Sequence, residues 1–204
     1  MGYYQNKNDF IIALYNGKTQ STQYYLYDNK SIKLIDEKTF INKNVKKVNL
    51  PDRELEKKIK SENNEIGKYL ISGAVNYKED KYIVAFHKDY WIEELYIYDK
   101  HDNKLVKIEM DNLYAIVAYG ETFIFYDDIS DTVYFSGYKE KDKTKPKTDK
   151  GLYGYNFKTE NYFIIYKIND LGLICPYRIP NTNFLIFLNQ KNNLTEILIA
   201  NLEN

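Results

Sequence analysis

Four times along this 204-residue chain an apolar run passes through a polar connection into a second apolar run that ends in Asp or Asn. The first runs are FIIALY, YIVAFH, VYFSGY and FLIFLN, starting at Phe10, Tyr82, Val133 and Phe184. The second are YYLYD, LYIYD, LYGYN and ILIAN, ending at Asp28, Asp99, Asn156 and Asn201. A third run, IKLID, LVKIE or YFIIY, follows the first three pairs, and no copy of it follows the fourth. Short apolar runs bounded by turn residues read as strands, and Asp or Asn at a strand end accepts hydrogen bonds from the turn backbone. Self-similarity at this period, with about four strands per unit, is the pattern of repeated antiparallel sheets.

The composition agrees. The 22 tyrosines and 10 phenylalanines, against the single Trp91, suit a pleated and half-buried surface. One domain over residues 1–204 is expected, since an all-β unit of this length commonly holds a single core. The last two intervals between first runs are equal and the first is longer, which an insertion explains. PDRELEKKIK, from Pro51, reads as a helix, with Pro51 in its first turn, Asp52 and Glu54 at its positive end, and Leu55 and Ile59 on one face. The helical insertion is placed at about 50–68. A Lys-rich loop, KEKDKTKPKTDK, spans 139–150, and the prolines at 176 and 180 suit turns or edges.

On these residues the repeat resembles a β-propeller blade of the WD-repeat type, with Tyr-Asp or Tyr-Asn standing where that family has Trp-Asp. No Gly-His pair accompanies it, and residues 37–69 lie outside the resemblance. It implies a small propeller-like array of about four antiparallel sheets, with a β-sandwich or large meander as the alternative fold. The missing fourth outer strand would leave an open sheet edge. Gly2 to Gln5 is the segment available to close the array there; otherwise the edge pairs with a partner or a second copy of the chain.

The charge balance is 29 basic against 29 acidic residues, so no overall field draws in nucleic acid or an anionic membrane. In the Lys-rich loop six lysines face three acids, which reads as a solvated connection, since arginine, the residue that reads guanine edges, is absent from it. No apolar stretch is long enough for a membrane helix. Cys175 is the single cysteine, next to Ile174 and Pro176, and reads as a core residue; no disulfide framework exists. A cytoplasmic protein is expected, with secretion or a periplasmic location the alternative if a leader preceded Met1-Gly2. The lysine-rich, Ile-, Asn- and Tyr-rich usage is associated with AT-rich bacterial or phage genes.

Residues that could carry catalysis lack the neighbours a reaction needs. His87 and His101, the only histidines, fall in one repeat with no HExxH or Cys/His cluster around them. No GxSxG is present. Asp127, Asp128 and Asp131 form the tightest acidic group but lack the glycine and glutamate of an EF-hand loop, so a polar hairpin turn is the reading. No metal and no cofactor are expected. Tyr90-Trp91 lie at the tip of a hairpin, in HKDYWIEE, and are either folded back over the sheet or exposed as an anchor; Tyr177-Arg178 are a second candidate pair. The expected function is a non-enzymatic protein-binding module, in concrete form an inhibitor or immunity-type protein. The competing reading is a ligand-binding or enzymatic propeller that holds a sugar or small polar molecule in a central cavity.

Overall fold

The computed structural model of the chain describes residues 2–28, 31–48, 53–62, 71–89, 92–115, 124–139, 148–167, 175–191 and 194–202. These residues are predominantly β, in antiparallel sheets, with two short helices. The chain gathers into two compact units, Met1–Leu50 and Pro51–Asn204, where the sequence suggests one continuous repeat domain.

The first unit contains β1 (Gly2–Gln5), β2 (Phe10–Asn16), β3 (Ser21–Asp28), β4 (Ser31–Ile35), α1 (Glu37–Asn42) and β5 (Lys46–Lys47), in sheet order β4-β3-β2-β1-β5. The run expected to supply three strands supplies β2, β3 and β4. What the sequence does not announce is the return of the chain through α1 to β5. Asp36 caps α1, its carboxylate accepting from the Thr39 amide at 2.7 Å. Phe40 then stacks on Tyr24 at 4.2 Å and meets Tyr4 edge-on at 5.1 Å, which fixes α1 over one face of the sheet. β1 therefore has β2 on one side and β5 on the other. Gly2 to Gln5, the segment available to close the last repeat, pairs inside its own sheet, with β2 along its length and with β5 at Tyr4 and Gln5.

The second unit contains α2 (Arg53–Glu62), within the expected helical insertion of about 50–68; residues 50–52, with Pro51 and Asp52, and 63–68 of that insertion lie outside the described residues. One meander follows, of β6 (Ile71–Lys78), β7 (Lys81–Asp89), β8 (Ile92–Asp99) and β9 (Lys104–Lys107). β10 (Leu113–Ala115) pairs with both β8 and the next meander, which comprises β11 (Ile124–Asp127), β12 (Thr132–Lys139), β13 (Thr148–Asn156) and β14 (Asn161–Lys167). A third group, β15 (Tyr177–Arg178), β16 (Phe184–Lys191) and β17 (Leu194–Asn201), forms a sheet in that order. The ends of the Lys-rich loop are strand rather than loop: Lys139 closes β12, Thr148 to Lys150 open β13, and Lys139 pairs with Thr148.

Alternation of side chains along each strand builds this unit in layers. On one face of the first meander, Ala74, Val84, Phe86 and Tyr98 pack with Ile59 of α2. On the other, Ile83, Ala85 and Leu95 meet Val133, Phe135 and Tyr153 of the second meander. Its opposite face carries Tyr134 and Leu152, which pack with Leu185 and Phe187 of β16. β12 is buried on both faces, which is why its sequence, TVYFSGYK, is nearly unbroken in apolar and small residues.

Two of the recurring strand-end Asx residues, Asp99 and Asn156, act as turn caps, and Asn16 at the end of a first run does the same. Asn16 Oδ1 accepts from the amides of Lys18 and Thr19, Asp99 Oδ1 from those of His101 and Asp102, and Asn156 Oδ1 from those of Lys158 and Thr159. Each of these turns closes with a residue in the left-handed region, at Gln20, Asn103 and Glu160. The same turn thus recurs after β2, β8 and β13.

Candidate interaction surface

The turn between β11 and β12, Asp127 to Asp131, has the same outline, with Asp131 in the left-handed region at φ 50°. Its anchoring differs. Asp127 is almost wholly buried, and its Oδ2 accepts from Ser130 Oγ and from Arg178 Nη1, the latter at 2.6 Å. The guanidinium also donates from Nε to the Thr182 carbonyl at 2.9 Å and from Nη2 to Asn183 Oδ1 at 2.7 Å, so its planar fork serves three acceptors at once. On the other side of the turn, Tyr126 Oη donates to Asp131 Oδ1 at 2.8 Å, and Lys78 Nζ lies 3.5 Å from Asp131 Oδ2. Burial, reinforced by Asp131, pushes the Tyr126 phenol well above its ordinary range, which keeps it a donor. From below, Asn156 Nδ2 donates to the Ser130 carbonyl at 2.9 Å and to Thr132 Oγ1 at 3.1 Å.

A turn pinned on three sides has little freedom, yet its tip faces solvent. Asp128 is exposed, and Ile129 is the most exposed large apolar side chain among the described residues, at 68%. The sequence reading of YDDISDTV as a polar hairpin turn accounts for its aspartates. It passes over Ile129, although an isolated Ile between aspartates in a turn is the available signal.

The other candidates take varied places. Tyr90 and Trp91 lie outside the described residues. Tyr177 packs its ring against Phe125 at 5.0 Å, and Arg178 is the buried clamp just described, so this pair joins β15 to the second meander. His101 sits on an exposed turn with Nδ1 2.8 Å from Asp102, whose carboxylate raises the imidazole pKa. His87 falls within β7. Cys175 is buried. Among the described residues no group of three His, Cys, Asp or Glu side chains could hold a metal ion, and no helix is long and apolar enough to cross a membrane.

A polar cleft of about 270 Å³ lies along the β9–β10 connection. Its rim carries Glu94, Lys107, Asp111, Asn112 and Tyr114 above a floor of Leu95, Ile108 and Leu113. Glu94 is held there by Lys107 Nζ at 3.1 Å and Tyr96 Oη at 2.8 Å.

The chain matches no protein-family model, and no curated protein is significantly similar to it.

Proposed function

We propose that the chain is a non-enzymatic protein-binding module, an inhibitor- or immunity-type protein built on a small propeller-like array of meander sheets. The stacking of one meander's face on the next supports the array, since consecutive blades of a propeller bury their faces in this way. The observation that carries the binding reading is the pinned turn 127–131, which holds an exposed Ile129 on a framework with little conformational entropy left to lose. Preorganised apolar tips of this kind suit the centre of an interface. Tyr90 and Trp91, as hairpin-tip aromatics, belong to the same proposal.

The test is affinity capture from the native source with the wild-type chain, an Ile129→Asp variant and a Tyr90→Ala/Trp91→Ala variant, each shown to melt as wild type does. One protein retained by the wild type and lost by either variant supports the reading. Retention of nothing, or of the same protein by all three, removes it. The cleft beside Glu94 favours a second reading, a site for a sugar or another small polar molecule, because carboxylate, amide, ammonium and phenol groups converge over an apolar floor. Thermal-shift screening with monosaccharides and polyols, repeated on Asn112→Ala, separates it from the first.

A further inference from the structure

Asn16 is the only asparagine of this chain that is followed by glycine. It ends β2 and caps the turn into β3, its Oδ1 accepting from the Lys18 amide at 3.0 Å and the Thr19 amide at 3.3 Å. Two amide donors on one carbonyl oxygen draw electron density away from Cγ and stabilise negative charge that arrives on that oxygen. The rest of the group is open. Asn16 and Gly17 are exposed, and a Cβ added at Gly17 would meet no heavy atom within 4 Å. Among the described residues Asn16 Nδ2 has no acceptor.

Asn156 supplies the comparison within the same molecule. It caps the turn after β13 in the same way, accepting from the Lys158 and Thr159 amides at 3.0 Å each. Its Nδ2, however, donates to the Ser130 carbonyl and to Thr132 Oγ1, and its successor is Phe157, whose ring packs on Tyr77, Tyr126 and Tyr155. The amide that would have to leave is tied down, and the nitrogen that would have to attack belongs to a packed residue. At Asn16 neither restraint is present.

We infer that Asn16 is a site of spontaneous deamidation. The Gly17 nitrogen attacks Asn16 Cγ and gives its proton to solvent; the Cγ–Nδ2 bond then breaks, and ammonia leaves with a proton taken from water. Glycine permits this because it leaves the attacking nitrogen uncrowded and free to turn onto Cγ. The succinimide so formed takes up one water. Opening at Cγ gives an aspartate at position 16, and opening at the main-chain carbonyl gives an isoaspartate whose backbone runs through Cγ. The balance is one water consumed and one ammonia released, with no oxidant or reductant. The aspartate keeps the cap, as Asp99 does for the amides of His101 and Asp102. The isoaspartate adds a methylene to the backbone at the last β2–β3 pair, Asn16 with Ser21, and breaks it. Deamidation at Asn16 does not depend on the binding role proposed for Ile129.

Incubation of the full chain at mildly alkaline pH, followed by peptide mapping with mass spectrometry, tests it. The peptide that carries Asn16 is expected to gain the mass difference between OH and NH2 and to separate into aspartate and isoaspartate forms. The peptide that carries Asn156 is expected to stay unchanged over the same period. Gly17→Ala is expected to slow the change by about tenfold or more. Gly17 has no left-handed φ and open space around it, so this variant folds, which circular dichroism checks. An unchanged Asn16 peptide overturns the proposal, as does an equal rate of change at Asn156, or a folded Gly17→Ala chain that changes as fast as the wild type.

Discussion

Arg178 shows how one side chain can be committed by its surroundings. Its side chain is only 10% exposed and that of Asp127 only 2%, so removing either leaves its partner desolvated without a counter-charge. Arg178→Ala should therefore destabilise the second unit by about 3 to 5 kcal/mol. Arg178→Lys should fall between that variant and wild type, because an ammonium cannot reach a carboxylate, a carbonyl and an amide oxygen in one plane. Urea unfolding followed by fluorescence measures both, and an Arg178→Ala midpoint equal to wild type would remove the clamp from the account. Three further carboxylates act more gently and through pH. Asp99 is held below the ordinary carboxylate range by Lys81 and by the Asp102 amide, Asp36 by the Thr39 amide, and Asp28 by Lys33. Their folded pKa values lie below the unfolded ones. Their stabilisation is therefore present above the unfolded carboxylate value of about 4 and is lost as pH falls through that value towards the folded ones. Melting temperatures scanned from neutral to acid pH should drop in this window, and less steeply in Asp99→Asn, whose amide oxygen keeps the turn cap without titrating.

At the scale of the element, close approach between strands is as important as pairing. Gly154 lies opposite Phe163 on the neighbouring strand, and a Cβ there would come within 2.6 Å of the Phe163 ring. The ring lies across the glycine because no side chain stands in its way. Gly154→Ala should cost at most about 1 kcal/mol, because Phe163 is 43% exposed and its ring can turn aside, and Gly154→Ala/Phe163→Leu should recover part of that loss; a double-mutant cycle by urea unfolding reads the coupling. Additive effects of the two substitutions would contradict this contact. The central strands were legible in the sequence because their two signals coincide: an apolar run supplies the strand, and a terminal Asp or Asn marks its end. The second strands end at Asp28, Asp99, Asn156 and Asn201 in both sequence and structure. α1 and β5 carry neither signal. A six-residue helix is too short to show a period, and its docking rests on Phe40, which finds Tyr4 and Tyr24 only in three dimensions. Nor could spacing show that Arg178 reaches Asp127, fifty-one positions away along the chain.

For the molecule as a whole, the repeat supplies layers, and the N-terminal strand joins the sheet β4-β3-β2-β1-β5. β2 pairs with β1 along its length, and Lys46–Lys47 of β5 pair with it at Tyr4 and Gln5. Met1–Leu50 forms a compact unit by itself. The charge chemistry that could be placed in the second unit serves turns and cross-links, as with Asp99, Asp127, Asp131 and Arg178, and the apolar tip at Ile129 is what the pinned turn presents to solvent. The measurement that tests this most directly is a binding titration of the captured partner against wild type and Ile129→Asp, with both melting curves recorded. The account predicts a loss of about 2 kcal/mol or more, roughly 30-fold in Kd, with no change in Tm because Ile129 contributes little to the core. Equal affinity of the two proteins for that partner would contradict it.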